Sequence, residues 1–233
     1  MRAPKRAMVL AAGLGLRMRP LTVTTPKPLL PVAGRCMLDR ALDKLEEAGV
    51  VTPVVNYHHL GGQVVRHLQG RDVALSDETE LLLETGGGVV KALPLLGTEP
   101  FFVINADILW EDGPTPALER LALAWDGATM DALLLVHPTA QAYGYEGPGD
   151  FFVAEDGRLE RRGSHPQAPH VFTGVQILSP HLLDGEKPVP FSLNRAYDKA
   201  LARGRLFAVV HDGEWYHVGT PDALIRTEEL LRR

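Results

Sequence analysis

The chain has 233 residues, of which 24 are Lys or Arg, 29 are Asp or Glu and 45% are hydrophobic, so its formal net charge is −5. A chain of this size can bury a hydrophobic core of its own. No apolar run approaches the length needed to span a membrane. The mildly acidic net charge argues against a protein that binds the phosphate backbone of nucleic acids. The single Cys36 has no partner within the chain, which suits a reducing compartment, so we expect a cytoplasmic protein.

Short apolar runs alternate along the chain with stretches of helical period. We predict strands at Ala7–Ala11, Pro53–Asn56, Val73–Ser76, Phe101–Asn105, Ala132–Val136, Val171–Leu178 and Leu206–Val210. This alternation is typical of a mixed, mostly parallel sheet with helices on both faces. No stretch has the composition of a linker, so we predict a single α/β domain over residues 1–233, with a three-layer, Rossmann-like architecture.

Two helices have clear sequence signals at their ends. The segment Met37–Ala48 carries apolar residues at helical spacing, and Gly49 stands where a left-handed residue commonly ends a helix. The last helix is expected to begin after Thr220, a favourable N-cap residue, with Pro221 at the first helical position and Asp222 in the first turn. The sequence therefore predicts a helix at each of these places.

The region from Gly144 to Pro169 differs from the rest because it is rich in Gly, Pro and charge and has only short apolar runs. Loops beyond the strand ends of an open α/β sheet commonly cover the ligand crevice. We therefore predict a small extension of the sheet at roughly residues 140–170. Within it, Arg161 and Arg162 either contact an anionic group of the ligand or form a solvated charged run.

A glycine loop follows the first predicted strand. Gly13 and Gly15 let backbone N–H groups approach an anion closely. A Rossmann fingerprint would need a third glycine where Met18 stands, and the Gly-Lys-Ser/Thr of a P-loop is absent. Arg17 lies in the loop, and a proline-rich strap, which we expect to be extended, carries Lys27, so both cations could reach one polyphosphate. The alternative is a surface turn with two solvated cations.

The segment Ala11–Val32, which contains this loop, resembles the signature of sugar-1-phosphate nucleotidyltransferases. The likeness continues across nearly the whole chain, through Leu83–Gly88, Asn105–Ile108, Phe172–Gly174 and Trp215–Thr220. The resemblance implies a GT-A-like nucleotide-binding fold with a small sugar-binding extension. It also implies that a sugar phosphate oxygen attacks the α-phosphate of a nucleoside triphosphate in line and expels pyrophosphate.

Within this family the chain is most similar to bacterial enzymes that transfer UMP from UTP to N-acetylmuramate 1-phosphate in cell-wall recycling. The likeness rests on the short length, the Leu-Glu-Thr-Gly-Gly-Gly form of the middle motif and the Gly149-Asp150-Phe151 stretch. A guanylyl- or other nucleotidyltransferase acting on mannose or glucose 1-phosphate is an alternative, and a non-catalytic nucleotide-sugar sensor is another. The expected partners are these small molecules, with no nucleic acid or membrane, and the oligomeric state is left open.

The resemblance assigns roles to individual residues. It implies that the catalytic residues are Arg17, Lys27 and Asp107, and that the nucleotide is bound by Ala11, Ala12, Gly13, Gly15, Arg17, Lys27, Thr85 and Gly86. It implies sugar contacts from Glu84, Asp150, Thr173 and Gly174. Such transfers need positioning and neutralisation of phosphate charge more than covalent help from the protein.

The expected metal site contains Asp107 and His217, with Mg²⁺ as the cofactor and Mn²⁺ as an alternative. Asp107 follows a buried strand, where α/β sheets place ligands, although an Asp there could instead bond its own turn. His217 stands where related enzymes usually carry an Asp. It could be a ligand with altered metal preference, leave Asp107 to hold Mg²⁺ with waters and substrate phosphates, or pack beside Trp215 and Tyr216 and donate one hydrogen bond.

Overall fold

The computed structural model describes residues 3–232; Met1, Arg2 and Arg233, which the predicted domain includes, lie outside the described residues. The strands are β1 (Ala7–Leu10), β2 (Pro31–Val32), β3 (Arg35–Cys36), β4 (Val54–Tyr57), β5 (Ala74–Asp77), β6 (Phe101–Asn105), β7 (Ile108–Glu111), β8 (Ala132–Pro138), β9 (Phe151–Val153), β10 (Leu159–Arg161), β11 (His170–Leu178), β12 (Leu206–Val210) and β13 (Glu214–His217). The α-helices are α1 (Met37–Glu47), α2 (Gly61–His67), α3 (Glu84–Leu96), α4 (Ala117–Ala124), α5 (Asn194–Ala202) and α6 (Pro221–Leu231). Short 3₁₀ turns cover Leu16–Met18, Leu21–Val23, Lys27–Leu29, Thr139–Gln141 and Pro180–Leu183.

Nine of these strands form one mixed sheet. Its order is β10-β9-β11-β6-β1-β4-β5, and β8 lies between β11 and β12. The strands β6, β1, β4 and β5 are parallel neighbours, whereas β11 runs antiparallel to both β6 and β8. The seven predicted strands all belong to this sheet, so the predicted α/β fold class is confirmed.

The sheet buries one hydrophobic core on each face. Along β1 and β6 successive side chains alternate between the two cores, with Val9 and Phe102 on one side and Met8 and Phe101 on the other. Helices α1, α2 and α4 contribute buried residues to the first core, and α3 and α5 contribute to the second. Successive side chains of a strand point to opposite faces of the sheet, and helices cover both faces. The fold therefore has three layers: helices, sheet and helices. None of the helices in residues 3–232 is both long enough and apolar enough to cross a membrane.

The predicted end signals at Gly49 and Thr220 lie where expected, and Cys36 forms a further cap that was not predicted. Cys36 precedes α1 and its Sγ accepts a hydrogen bond from the Asp39 backbone N–H at 3.4 Å, while Gly49, just past the helix, has φ of 71°. Thr220 precedes α6, and its Oγ1 accepts from the Ala223 N–H at 3.2 Å. These contacts satisfy backbone groups that a helix end would otherwise leave without a partner.

A two-stranded antiparallel ribbon of β7 and β13 stands outside the main sheet and was not predicted. Its register places His217 opposite Ile108, and Ile108 directly follows Asp107 in the chain. Four ladder pairs thus bring together residues that are 103 to 109 positions apart in the sequence. The ribbon therefore explains how the two segments of the expected metal site meet.

The region predicted as an extension contains a hairpin of β9 and β10, and β9 pairs with β11 of the main sheet. The contact with β11 pairs Phe151 with His170. Arg161 lies on β10, where its Nε donates to Asp198 Oδ1 at 2.8 Å, and Arg162 donates to the His165 carbonyl at 2.7 Å. Both arginines are therefore engaged within the protein.

Candidate active site

A cavity of about 600 Å³ opens at the carboxyl ends of β1, β4 and β6. It is lined by Leu10, Ala11, Ala12, Gly13, Gly15, Leu16, Arg17, Met18, Lys27, Pro28, Asn56, Leu82, Glu84, Thr85, Asn105, Asp107, Ser192 and Gly219. The carboxyl edge of parallel strands is where open α/β sheets bind ligands. Nine of the residues with predicted roles line it: Ala11, Ala12, Gly13, Gly15, Arg17, Lys27, Glu84, Thr85 and Asp107.

The glycine loop makes a tight turn in which position 15 suits a glycine. Gly15 has φ of 60°, and a Cβ there would come within 2.9 Å of the Thr22 methyl group. Thr22 Oγ1 donates to the Gly15 carbonyl at 2.8 Å and fixes the turn. Arg17 is exposed on the next turn, whereas Met18 is fully buried. The missing third glycine is thus replaced by a core residue that anchors this loop.

Lys27 and Asp107 form an ion pair in the cavity wall. Lys27 Nζ donates to Asp107 Oδ2 at 2.8 Å, and the Lys27 side chain is only 8% exposed while that of Asp107 is 37% exposed. Lys27 was expected in extended chain, and that expectation is wrong: it begins a single 3₁₀ turn. Pro28 fits in the second position of this turn because the first N–H groups of a helical turn need no partner within it.

A buried hydrogen-bond network, which sequence reasoning missed, connects two walls of the cavity. Asn56 Oδ1 accepts from the Ala11 N–H at 2.6 Å, and Asn56 Nδ2 donates to Glu78 Oε1 at 2.6 Å. Glu78 Oε2 accepts from the Leu83 N–H at 3.0 Å. Asn56 is 2% exposed and Glu78 is 1% exposed. The network therefore ties the glycine loop to the residues that precede α3.

The start of α3 forms the opposite wall. Glu84 and Thr85 line the cavity, and Glu84 has φ of 58°, a left-handed conformation that is unfavourable for a residue with a Cβ. Thr85 Oγ1 accepts from the Leu193 N–H at 2.8 Å. Gly86 does not line the cavity: its N–H donates to the Phe191 carbonyl at 2.8 Å, and a Cβ there would lie 2.3 Å from the Phe191 ring. Gly86 thus contacts Phe191 on the side of α3 that faces away from the cavity.

Three predicted sugar contacts lie outside this cavity. Asp150 Oδ2 accepts from the Phe172 N–H at 2.9 Å. Thr173 is fully buried, and its Oγ1 donates to the Leu135 carbonyl at 2.8 Å. Gly174 has φ of 89° and approaches Asn105 so closely that a Cβ would lie 2.9 Å from the amide. Asp150 and Thr173 make hydrogen bonds within the protein and Gly174 packs against Asn105, so a direct role in sugar binding stays a prediction.

His217 packs on Trp215 and bonds a backbone carbonyl, and its role as a metal ligand stays a prediction. Its ring stacks on Trp215 at a centroid distance of 5.9 Å and an angle of 9°, and Nδ1 lies 3.2 Å from the Gly144 carbonyl. A carbonyl only accepts, so Nδ1 carries the proton and Nε2 keeps its lone pair. Burial lowers the pKa of His217 and outweighs the Gly144 carbonyl and Asp107, which raise it. The neutral ring is therefore favoured. Neutral imidazole is the form that binds metals.

The donor set around Asp107 fits a hard divalent cation that brings most of its own ligands. Over residues 3–232, no group of three or more His, Cys, Asp and Glu ligand atoms converges at Asp107. Mg²⁺ is usually held by one or two carboxylates together with waters and substrate phosphates, rather than by a complete protein cage. One accessible carboxylate in a cavity of about 600 Å³, which leaves room for waters and substrate phosphates, therefore suits Mg²⁺.

The sequence is similar to a family and to individual proteins of known activity. The nucleotidyl transferase family model matches residues 6–233. The chain is 42% identical to N-acetylmuramate alpha-1-phosphate uridylyltransferase of Caulobacter vibrioides over an alignment of 236 residues. The alignment covers 98% of each of the two chains. It is 36% identical over 233 residues to the protein of that name from Neisseria meningitidis serogroup B, covering 97% of each. Apo UDP-glucose pyrophosphorylase superposes with a TM-score of 0.76 at 19% identity over 98% of both chains, a similarity of fold.

Proposed function

The chain belongs to the nucleotidyl transferase family, and from this premise we propose that it transfers UMP from UTP to N-acetylmuramate 1-phosphate. A phosphate oxygen of the sugar phosphate forms a bond to the α-phosphorus of UTP, the bond to the β-phosphate oxygen breaks, and pyrophosphate leaves. The product is UDP-N-acetylmuramate. Two relatives, at 42% and 36% identity, carry this activity in their names, which supports the choice of base and sugar. We assign the reaction to cell-wall recycling in the cytoplasm.

The Lys27–Asp107 pair in the wall of a cavity that also holds the glycine loop is the observation that carries the proposal. Nucleotidyl transfer spreads negative charge over the reacting phosphate and the leaving pyrophosphate. In the proposed reaction the nearly buried ammonium of Lys27 would lie beside the α-phosphate and the incoming sugar phosphate. Arg17, exposed at the rim, would bind the β- and γ-phosphates, with backbone N–H groups of Gly13 and Gly15 beside it.

Mg²⁺ would be held by Asp107, with Mn²⁺ as an alternative. When bound, the cation would neutralise charge on the phosphates of UTP and of the transition state. The Asp107 carboxylate keeps Lys27 oriented through Oδ2, which leaves its second oxygen for the cation. His217 would add its Nε2 lone pair as a weaker ligand or serve only as packing on Trp215, two roles that its substitution separates.

The test is pyrophosphate release from each of the four nucleoside triphosphates with N-acetylmuramate, glucose and mannose 1-phosphates, in Mg²⁺ and then in Mn²⁺. We expect turnover with UTP and N-acetylmuramate 1-phosphate, and loss of turnover in Asp107→Ala. If His217→Ala changes the Mg²⁺ concentration needed for half-maximal rate, His217 is a ligand; if only stability changes, it packs. Preference for GTP and mannose 1-phosphate would replace the proposal by a guanylyltransferase. Binding of UDP-sugar without turnover under any cation would favour a sensor.

A further inference from the structure

A second cluster of metal-ligand side chains lies where α1 begins and α2 ends. It consists of Cys36, which caps α1, Asp39 in the first turn of α1, and His67, the last residue of α2. Their ligand atoms all lie within 4.8 Å of one another. None of the three lines the nucleotide cavity. Nothing in the transfer reaction uses them, although Cys36 is the only cysteine of the chain.

The atoms of this cluster converge on one point. His67 Nε2 lies 3.6 Å from Cys36 Sγ and 2.9 Å from Asp39 Oδ1, so a single ring nitrogen faces both a sulfur and a carboxylate oxygen. Around a tetrahedral Zn²⁺, with bonds of about 2.3 Å to sulfur and about 2.0 Å to nitrogen, these two atoms stand roughly 3.5 Å apart. The Cys36–His67 distance therefore already matches that of two ligands of one ion.

We propose that Cys36 Sγ, Asp39 Oδ1 and His67 Nε2 form a binding site for a borderline-soft divalent cation, with Zn²⁺ as the first candidate. A thiolate and an imidazole select such ions over Mg²⁺, which prefers oxygen ligands. Three protein ligands leave a fourth position for water, because His67 is about one third exposed and the site opens to solvent. The bound ion would link the start of α1 to the end of α2.

A catalytic thiol is the competing interpretation of a neighbouring Cys, His and Asp, and the geometry excludes it. In a nucleophile triad the acid contacts the ring nitrogen opposite to the one that faces the nucleophile. Here Asp39 and Cys36 face the same nitrogen of His67.

Arg71 is the group that must yield when a cation binds. Its guanidinium also donates to Asp39 Oδ1, and its Nη2 lies 3.8 Å from Asp43 Oδ1. Asp43 therefore offers Arg71 a second carboxylate within reach. A metal ion would take over the Asp39 oxygen, while Arg71 keeps an ion pair with Asp43.

The experiment is a Co²⁺ titration of the metal-stripped, untagged chain in excess Mg²⁺, followed by near-ultraviolet and visible absorption. We expect a sulfur-to-cobalt charge-transfer band that saturates at one equivalent, is displaced by Zn²⁺ and is lost in Cys36→Ser. Co²⁺ at Asp107 would give no such band, because the only sulfur thiolate of the chain is Cys36. Serine is a favourable N-cap residue, so Cys36→Ser keeps the cap of α1.

The second part of the experiment is the same Co²⁺ titration of His67→Gln, with His181→Gln as the matched control. His181 is exposed and pairs with Asp184 far from the cluster, so its loss removes one histidine without touching the site. We expect His67→Gln to weaken Co²⁺ binding by at least about tenfold, since even loss of an outer partner of a metal ligand costs that much. Absence of a saturable band in the unmodified chain, or equal affinity in His67→Gln and His181→Gln, would overturn the proposal.

Discussion

Lys27 and Asp107 each determine where the other lies in the cavity wall. The ammonium is almost completely shielded from solvent and has the Asp107 carboxylate as its partner at 2.8 Å, so it cannot sample many positions. A charge held in place before the substrate arrives stabilises a transition state without the cost of reorganisation. At the scale of single residues, the pair is therefore the preorganised charge on which the proposed reaction depends.

Replacing Lys27 with Met tests this role. We expect kcat to fall by roughly 10²–10³-fold, because a preorganised charge that acts on the transition state is lost. Pyrophosphate release under saturating UTP is the measurement. Lys44→Met is the control, since Lys44 forms an ion pair with Asp112 outside this cavity. Equal losses in the two variants would show that the effect is one of folding and not of catalysis.

Glu84 carries backbone strain at the cavity wall. A non-glycine residue with positive φ costs on the order of 1 kcal/mol, and such strain is often found at functional sites. We expect Glu84→Gly to raise the free energy of unfolding by up to about 1 kcal/mol and to lower kcat/KM roughly tenfold or more, because a charged hydrogen-bond partner is lost. Urea unfolding and steady-state rates measure the two effects.

Ala33→Gly is the matched change for Glu84→Gly. Ala33 also has positive φ, at 49°, but it does not line the cavity. We expect it to stabilise the fold and leave the rate unchanged. If Glu84→Gly were as active as the unmodified chain, Glu84 would have no contact with substrate.

At the scale of elements, the sequence predicts those strands and helices whose apolar residues recur at a regular local spacing. The strands β1 and β6 are short apolar runs buried on both faces, and α1 has both a periodic apolar face and a glycine past its end. These signals lie within a few residues of one another, so they can be recognised without the fold. The main sheet and the glycine loop were predictable for this reason.

Other elements depend on contacts between distant segments. β7 and β13 have four residues each, and neither forms a ribbon until the chain brings residues 108–111 beside 214–217. Asn56 and Glu78 are 22 positions apart, and no local pattern distinguishes this carboxylate from a surface one. Thr173 and Gly174 have the family pattern, but only the fold reveals that Thr173 is buried and bonded to the backbone of β8.

The docking of α3 depends on glycines that face another segment of the chain. A Cβ at Gly87 would come within 2.1 Å of the Val189 carbonyl, which is backbone and cannot rotate away. We expect Gly87→Ala to lower the free energy of unfolding by about 1–3 kcal/mol, the usual cost of overpacking. Gly62→Ala is the control, because its Cβ meets only Arg66 Nη1 at 3.5 Å in α2. Chemical denaturation of both variants checks this, and similar stabilities would contradict the close packing.

At the scale of the whole molecule, buried histidines couple stability to pH. His137 and His211 lie with ring centroids 5.8 Å apart, and both are nearly inaccessible to solvent. Burial, followed by the neighbouring His211 and His170, lowers the pKa of His137 to about 4. Burial also lowers the pKa of His211. The folded chain therefore keeps both rings neutral at a pH where the unfolded chain takes up protons.

The sign of the pH dependence follows from this difference. Above pH 6.5 the His137 ring is neutral in both states, so its contribution to stability is complete; between pH 6.5 and 4 only the unfolded chain is protonated, so stability falls as pH falls. The loss from His137 is roughly 3 kcal/mol at most. Urea unfolding from pH 7.5 to 4.5 should show this slope, reduced in His137→Gln and unchanged in His181→Gln. An unchanged slope in His137→Gln would contradict it.

The Asn56–Glu78 network has a consequence for how related sequences can diverge. Asn56 and Glu78 are hydrogen-bond partners. Replacing Asn56 alone therefore leaves Glu78 Oε1, which is nearly buried, and the Ala11 N–H without partners. An unmatched polar group in such a place costs about 1–3 kcal/mol. Neither residue has to touch a substrate for this constraint to hold. Among relatives, exchange at position 56 should therefore accompany exchange at position 78, even where the nucleotide and the sugar have changed.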